Sequence, residues 1–242
     1  MGSGRGLGDV SRFGFWHGGG NRPQIEFIGY LLQNNSGGSY SSKTWTGASF
    51  GDPASDREII FAISHNSPGS QTITSVTIGG VAATLGSAAG GAAIGKSIGS
   101  AWAHVPTGAT GDVTITFSGN ISTVLIGVFR VTGRPVIGAS HVDFDSTYAG
   151  SGASSATITD IDLPDAGFGV GCLAIYQDSA SAPSLSGAPF IDDAVVNVQS
   201  SGADIYHAIT HCPVQEGAAP DETLTWSWGS NEAMVAGVWV FA

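Results

Sequence analysis

The chain has 242 residues, of which only 11% are charged and 37 are glycine, with a net charge of −11. That balance excludes the basic footprint needed to hold a phosphate backbone, and no run approaches the roughly 18 apolar residues of a membrane helix. A β body of this length buries an ample core without disulfide or metal staples, and so little charge leaves Ser, Thr, Asn and Gly to cover its surface.

Residues 1–23 differ from everything after them. They hold eight glycines, and Arg5, Arg12 and Arg22 against Asp9 leave the segment at +2 and the remainder at −13. Glycine at this density is too costly in entropy to fold alone. Yet Leu7, Val10, Phe13, Phe15 and Trp16 are not what a solvated linker carries. Aromatic anchors spaced by glycine read as an extended arm that orders against a partner, with Leu7, Val10, Arg12, Phe13, Phe15 and Trp16 as its docking residues; the alternative is a disordered tail. The first twenty residues contain no apolar signal core, so the protein is expected to be made in the cytoplasm.

From residue 24 onward the pattern is that of strands. Ile25–Gln33 is the first, and Ser36 to Thr46 reads as a polar loop carrying Tyr40 and Trp45. Glu58–Ser64 is a nearly continuous apolar run, as expected of a strand covered on both faces. Ile73–Ile78 turns at Gly79-Gly80 into Val81–Leu85, and residues 86–97 read as a small-residue loop. Three strands follow: Ile98–Val105, Asp112–Phe117 and Val124–Val131. In the middle one Val113, Ile115 and Phe117 share a face while Thr114, Thr116 and Ser118 share the other. After a connector come His141–Tyr148, Thr157–Leu163 and Ala166–Tyr176, then a loop-rich stretch over residues 177–202. No window shows a helical period, and the ten prolines would break one.

The stretch over residues 97–133 returns near the C-terminus. His104-Val105-Pro106 recurs as His211-Cys212-Pro213, Thr114–Ser118 as Thr223–Ser227, and Gly127-Val128-Phe129 as Gly237-Val238-Trp239. Two such halves can form tandem sandwiches or share a single one, and each half alone is a marginal core. The expected fold is therefore an all-β, antiparallel, jelly-roll-like sandwich of residues 24–242, with two similar halves (about 56–133 and 166–242) each giving strands to both sheets.

Candidate chemistry is sparse. Gly90–Ser97 matches G-x-x-x-x-G-K-[ST] letter for letter, but a phosphate loop must open a helix, and a strand follows here. His141, Asp143 and Asp145 alternate, which on a strand points all three to one side; they read as a solvated polar face or, with Asp160 or Asp162, as oxygen ligands for calcium. Asp192-Asp193 reads as a turn. No G-x-S-x-G elbow occurs, an acid pair for glycoside cleavage is visible only in geometry, and His104 and His211, at matching positions, read as structural. No catalytic residue and no cofactor is assigned. Cys172 and Cys212 read as buried thiols, with a disulfide between neighbouring strands as the alternative. Tyr40, Trp45, Tyr148 and Tyr206 are either glycan-stacking rings or core and subunit-contact residues.

The run Asp56–Ser64, the Val76-Thr77-Ile78-Gly79-Gly80-Val81 turn, Trp102–Pro106, Thr114–Gly119 and the apolar last strand together resemble two-fold repeated β-sandwich proteins of tailed-bacteriophage structural clusters. Gly4-Arg5-Gly6-Leu7-Gly8 and Ser11-Arg12-Phe13-Gly14-Phe15-Trp16 are similar to particle-docking peptides of phage fibres and spikes. Similar sandwiches occur in gene-transfer particles and bacterial surface proteins. The resemblance carries no catalytic residues. It implies a virion component made in the host bacterial cytoplasm, with copies around a symmetry axis (a trimer or pentamer) and other virion proteins as partners. The competing expectation is a carbohydrate-binding module that meets a host-surface glycan.

Overall fold

Alternating apolar residues bring the chain into antiparallel sheets throughout. A computed structural model describes residues 22–34, 38–66, 69, 71–91, 95–133, 141–177, 181–200 and 203–242, and every helix or strand among them is a strand. None of the described residues forms a helix long and apolar enough to cross a membrane.

Three sheets form. The first has the order β1-β9-β3-β7-β6, from β1 (Gln24–Asn34), β3 (Glu58–Asn66), β6 (Thr84–Gly91), β7 (Lys96–His104) and β9 (Thr123–Thr132). The second has the order β2-β8-β4-β5, from β2 (Tyr40–Ser49), β4 (Ile73–Ile78), β5 (Val81–Ala82) and β8 (Thr110–Ile121). The third has the order β10-β15-β11-β14-β13, from β10 (Asp143–Leu163), β11 (Phe168–Gln177), β13 (Ile191–Ser200), β14 (Ala203–Cys212) and β15 (Ala219–Phe241). The short β12 (Ser184–Ser186) pairs with β15 beside that path.

Sheet membership therefore follows position in the chain. Strands before residue 133 make the first two sheets, and strands after residue 142 make the third. This corrects the expectation that each half supplies strands to both sheets: every pairing stays within its own part of the chain, although many of them span long stretches of it, as β1 with β9, β2 with β8 and β10 with β15 do. Three further expectations are corrected. Most of the polar stretch before Thr46 is edge strand β2, the small-residue stretch after Gly86 opens as β6, and the stretch after residue 177 holds β12 and β13.

Alternation in β3 decides the layering. Ile59, Phe61 and Ile63 face the second sheet, where they meet Val76, Ile78, Val113, Ile115 and Phe117 in one buried core. Ile60 and Ala62 face the third sheet, where Leu125 and Phe129 join them against Phe168, Val170, Cys172 and Trp239. β10 and β15 are 21 and 23 residues long and bulged, and their outer portions fold over the far side of the third sheet. There Ile158, Leu224 and Trp226 close a third core with Leu173, Ile175 and Val238. The molecule is thus a stack of packed β layers, with an apolar seam between the first and third sheets.

Two glycines allow the seam to close. A Cβ on Gly127 would sit 2.4 Å from Cγ2 of Ile209, and one on Gly237 would sit 2.4 Å from Cδ1 of Ile98. The recurring His104 and His211 lie opposite Glu58 and Val170, whereas Gly127 lies opposite Ala62 and Gly237 opposite Cys172.

Candidate functional site

Polar side chains inside the body serve its architecture. Arg57, the residue before β3, is fully buried. Its Nε donates to the Val105 carbonyl at 2.7 Å, Nη1 to Gly51 and Phe50 at 2.9 and 3.4 Å, and Nη2 to Thr107 and Gly108 at 2.9 and 2.6 Å. One guanidinium, with its fixed fork of donors, thereby gathers two loops at one end of the first sandwich. His104 Nδ1 meets Glu58 Oε1 at 3.1 Å, and His211 Nδ1 meets both Asp193 oxygens at 2.8 Å. Both histidines join neighbouring strands, in keeping with the structural reading. Asp193 lies in β13 next to a bulge and is not part of a turn.

The thiols are free and buried. Cys172 lies opposite Ile209 and Cys212 opposite Gly169, with Cys172 in the seam and Cys212 in the outer core. They occupy opposite faces of one sheet, so the disulfide alternative is ruled out by geometry. Burial pushes the Cys212 thiol up to about 12.

The match to a phosphate loop is a hairpin connection. Gly90 and Gly91 end β6, and Lys96 begins β7, with no helix after it. Lys96 is buried, with Nζ 4.9 Å from the Tyr176 ring centroid, and desolvation lowers its pKa to about 8. Residues 92–94 lie outside the described residues.

His141, Asp143 and Asp145 stay near one another, with Asp143 acting on both of the others. His141 Nε2 is 3.1 Å from Ser87 Oγ, and its ring lies edge-on to Trp102 at 6.1 Å. Asp143 accepts from the backbone N–H groups of Phe144 and Asp162. Burial, with Asp143, Asp160 and Asp162 nearby, raises the Asp145 carboxyl to about 6. Among the described residues no group of three or more His, Cys, Asp or Glu side chains is placed to hold a metal ion.

The four candidate glycan rings form no platform. Tyr40 and Trp45 lie on β2, partly buried against the first core, and Trp45 Nε1 donates to Leu32 O at 3.3 Å. The Tyr40 hydroxyl is buried with no hydrogen-bond partner, and desolvation raises its pKa. Tyr206 is 7% exposed and belongs to the outer core, whereas Tyr148 is 68% exposed on β10. Tyr206 is thus not the exposed ring that stacking on a sugar requires. The docking residues Leu7, Val10, Arg12, Phe13, Phe15 and Trp16 lie outside the described residues. Arg22, where description begins, lines a cleft of about 500 Å³ with Asp56, Gly133 and Glu216.

The most regular surface feature is a pair of hydroxyl faces. On the second sheet, Ser42, Thr116 and Ser75 form one row across three strands, and Thr44, Thr114 and Thr77 form the next. On the outer portion of the third sheet, the rows are Ser155, Ser227 and Ser184, then Thr157, Thr225 and Ser186. All twelve positions are Ser or Thr, and none is buried. The residue between each pair is Lys43, Val76, Ile115, Ala156, Leu185 or Trp226, and of these Val76, Ile115, Ala156 and Trp226 are buried core. Thr44 and Thr114 hydroxyls are 2.8 Å apart, and those of Thr157 and Thr225 are 3.1 Å apart. The strands that carry them lie about 4.8 Å apart, and residues on one face repeat about every 6.6 Å along a strand. Six Ser/Thr-x-Ser/Thr triplets in the sequence carried this signal, although only the one at Thr114 was legible as a face before the strand pairings were known.

No protein-family model matches this chain, and no curated protein or solved structure matches it at a significant level.

Proposed function

We propose that the chain is a non-enzymatic structural component of a bacteriophage-like particle, docked through residues 1–23 and presenting the β body on the particle surface. The observation that carries this reading is the pair of uncharged hydroxyl faces. A protein of net charge −11 repels its own copies. Keeping charge off these twelve positions lets neighbouring subunits or a shell approach there. The N-terminal arm, at +2, complements an acidic shell surface, and its aromatic residues supply anchors. Copies arranged as a trimer or pentamer fit the same reading. The test is a mass-spectrometric inventory and image reconstruction of native particles. Stoichiometric copies of this chain on the particle support the proposal, and its absence from purified particles refutes it.

The hydroxyl faces also favour a second reading, contact with a neutral host-surface glycan. Each hydroxyl both donates and accepts, as sugar hydroxyls do, and none of the twelve positions carries a charge that would select an ionic ligand. Retention of the purified chain on a neutral polysaccharide column, lost when Thr114 and Thr225 are replaced by Val, supports this second reading. No retention removes it and leaves the particle role standing.

A further inference from the structure

We propose that His207 is a proton-operated latch on the seam between the first and third sheets, closed while the imidazole is neutral and released when it takes a proton.

His207 projects from β14 into a seam that is otherwise largely apolar. Its Nδ1 is 2.7 Å from Ser64 Oγ on β3, and its Nε2 is 3.4 Å from Thr123 Oγ1 on β9. One side chain of the third sheet thus ties two strands of the first. A neutral imidazole satisfies both hydroxyls, donating through one nitrogen and accepting through the other. On its own sheet His207 lies between Ala174 of β11 and Val196 of β13, both apolar.

The charges around the site oppose a second proton. His65 lies one residue beyond Ser64 on β3, with its ring 5.0 Å from Phe117 on the other side of the first sheet, and Lys96 begins β7. These two are the groups that act on His207, and both disfavour its cation. Glu232 of β15 acts on Lys96, and Tyr176 of β11 lies beneath the Lys96 ammonium. The facing residue of β9 is Thr123, which does not titrate.

Burial first, and then His65 and Lys96, hold the closed imidazole near a pKa of about 3, against 6.5 when it is free in water; burial also lowers His65 itself to about 4, so it is neutral until the same acid range is reached. The sign follows from linkage: the open form binds the proton that the closed form refuses. Closure is therefore fully supported above pH 6.5, and that support is lost progressively as pH falls from 6.5 towards about 3.

Cys172 supplies the readout. It is fully buried in the seam, two residues from Ala174, and its Sγ donates to Ile63 O at 3.4 Å. Cys212, in the outer core of the same sheet, is the internal control. The full chain is pulsed with a dipyridyl disulfide, a reagent that reacts with thiols in acid, and each rate is referred to free cysteine at the same pH. Between neutral pH and about pH 4.5 the Cys172 rate should rise by about tenfold or more, with Cys212 protected and the far-ultraviolet circular dichroism unchanged. His207→Gln keeps a donor and an acceptor but cannot titrate, so it should keep Cys172 protected. Both cysteines reacting together as the β signal disappears, no reaction at Cys172, or the same acid response in His207→Gln would each overturn the latch. Should His207→Gln fail to fold, NMR titration of the His207 ring in the native chain decides. Protonation in step with Cys172 labelling supports the proposal, and labelling while the ring stays neutral refutes it.

Discussion

Arg57→Ala is expected to lower the stability of the body by roughly 3–5 kcal/mol, because it leaves five carbonyl groups without their charged donor. Three of these acceptors, Val105, Thr107 and Gly108, lie between β7 and β8, and the other two, Phe50 and Gly51, follow β2. Other hydrogen bonds on these loops include Phe50 N–H to Ala109 O, Val105 N–H to Arg57 O, Arg57 N–H to Ala54 O and Arg130 Nε to Asp52 O. Arg57→Lys keeps the charge but replaces a planar fork by one rotating ammonium, so it should recover only part of the loss. In a domain of this size a loss of that order lowers the midpoint of thermal unfolding by roughly 10 °C. Urea titrations of the three proteins measure it. A change of under about 1 kcal/mol in Arg57→Ala would show that the loops hold themselves.

The second large effect concerns the seam. Gly127→Ala and Gly237→Ala should each destabilise by about 1–3 kcal/mol, since the added methyl enters a packed layer with no space. For Gly127 the obstructing atoms are Cγ2 of Ile209 at 2.4 Å and Cε2 of Phe129 at 3.1 Å. For Gly237 they are Cδ1 of Ile98 at 2.4 Å and Cε2 of Phe144 at 3.1 Å. In both cases a side chain of one sheet fills the hollow over a glycine of the facing sheet. A double-mutant cycle separates this contact from intrinsic strand preference. Combining Gly127→Ala with Ile209→Ala should cost less than the sum of the single changes, because shortening Ile209 vacates the space that the methyl needs. Strict additivity would mean that the loss arises within β9 and not from the seam.

Much of the fold was legible in residue order because the core strands carry strong signals. The apolar run at Glu58–Ser64 is a strand buried on both faces, and Val113, Ile115 and Phe117 alternate as a one-sided strand must. The layer arrangement was less legible. Which sheet faces which depends on tertiary contacts such as Gly127 against Ile209, and no local pattern announces them. The strands read as loops have a common cause. β6 is built from Thr, Leu, Ser, Ala and Gly, with no apolar alternation, and it pairs closely with β7 because Gly86 presents no Cβ to Ser100 and Trp102. β2 alternates Ser and Thr with Lys and Trp, which resembles a polar loop until its partner β8 is known.

The surface was read less well than the core. Tyr206 sits in a strand whose alternate residues face two buried layers, so an isolated Tyr gave no sign of its burial. The structural assignment of His104 and His211 rested on their matching positions, yet their acidic partners, Glu58 and Asp193, come from strands that do not match. His207 stood out by nothing in its neighbourhood. Its importance emerges only when Ser64, 143 residues earlier, is found against its ring.

The proposed particle role places docking in residues 1–23, and their removal tests it most directly. Each large ring buried on a partner contributes roughly 1.5–3 kcal/mol, so Phe13, Phe15 and Trp16 together can offset the ordering of part of a glycine-rich segment. The measurement is the copy number of this chain in purified particles, compared between the full-length protein, a form lacking residues 1–23, and a form with Phe13, Phe15 and Trp16 all replaced by Ala. Both altered proteins should keep the β circular dichroism and thermal transition of the body while incorporation falls to background. Incorporation of the truncated chain at normal copy number would contradict docking through the arm.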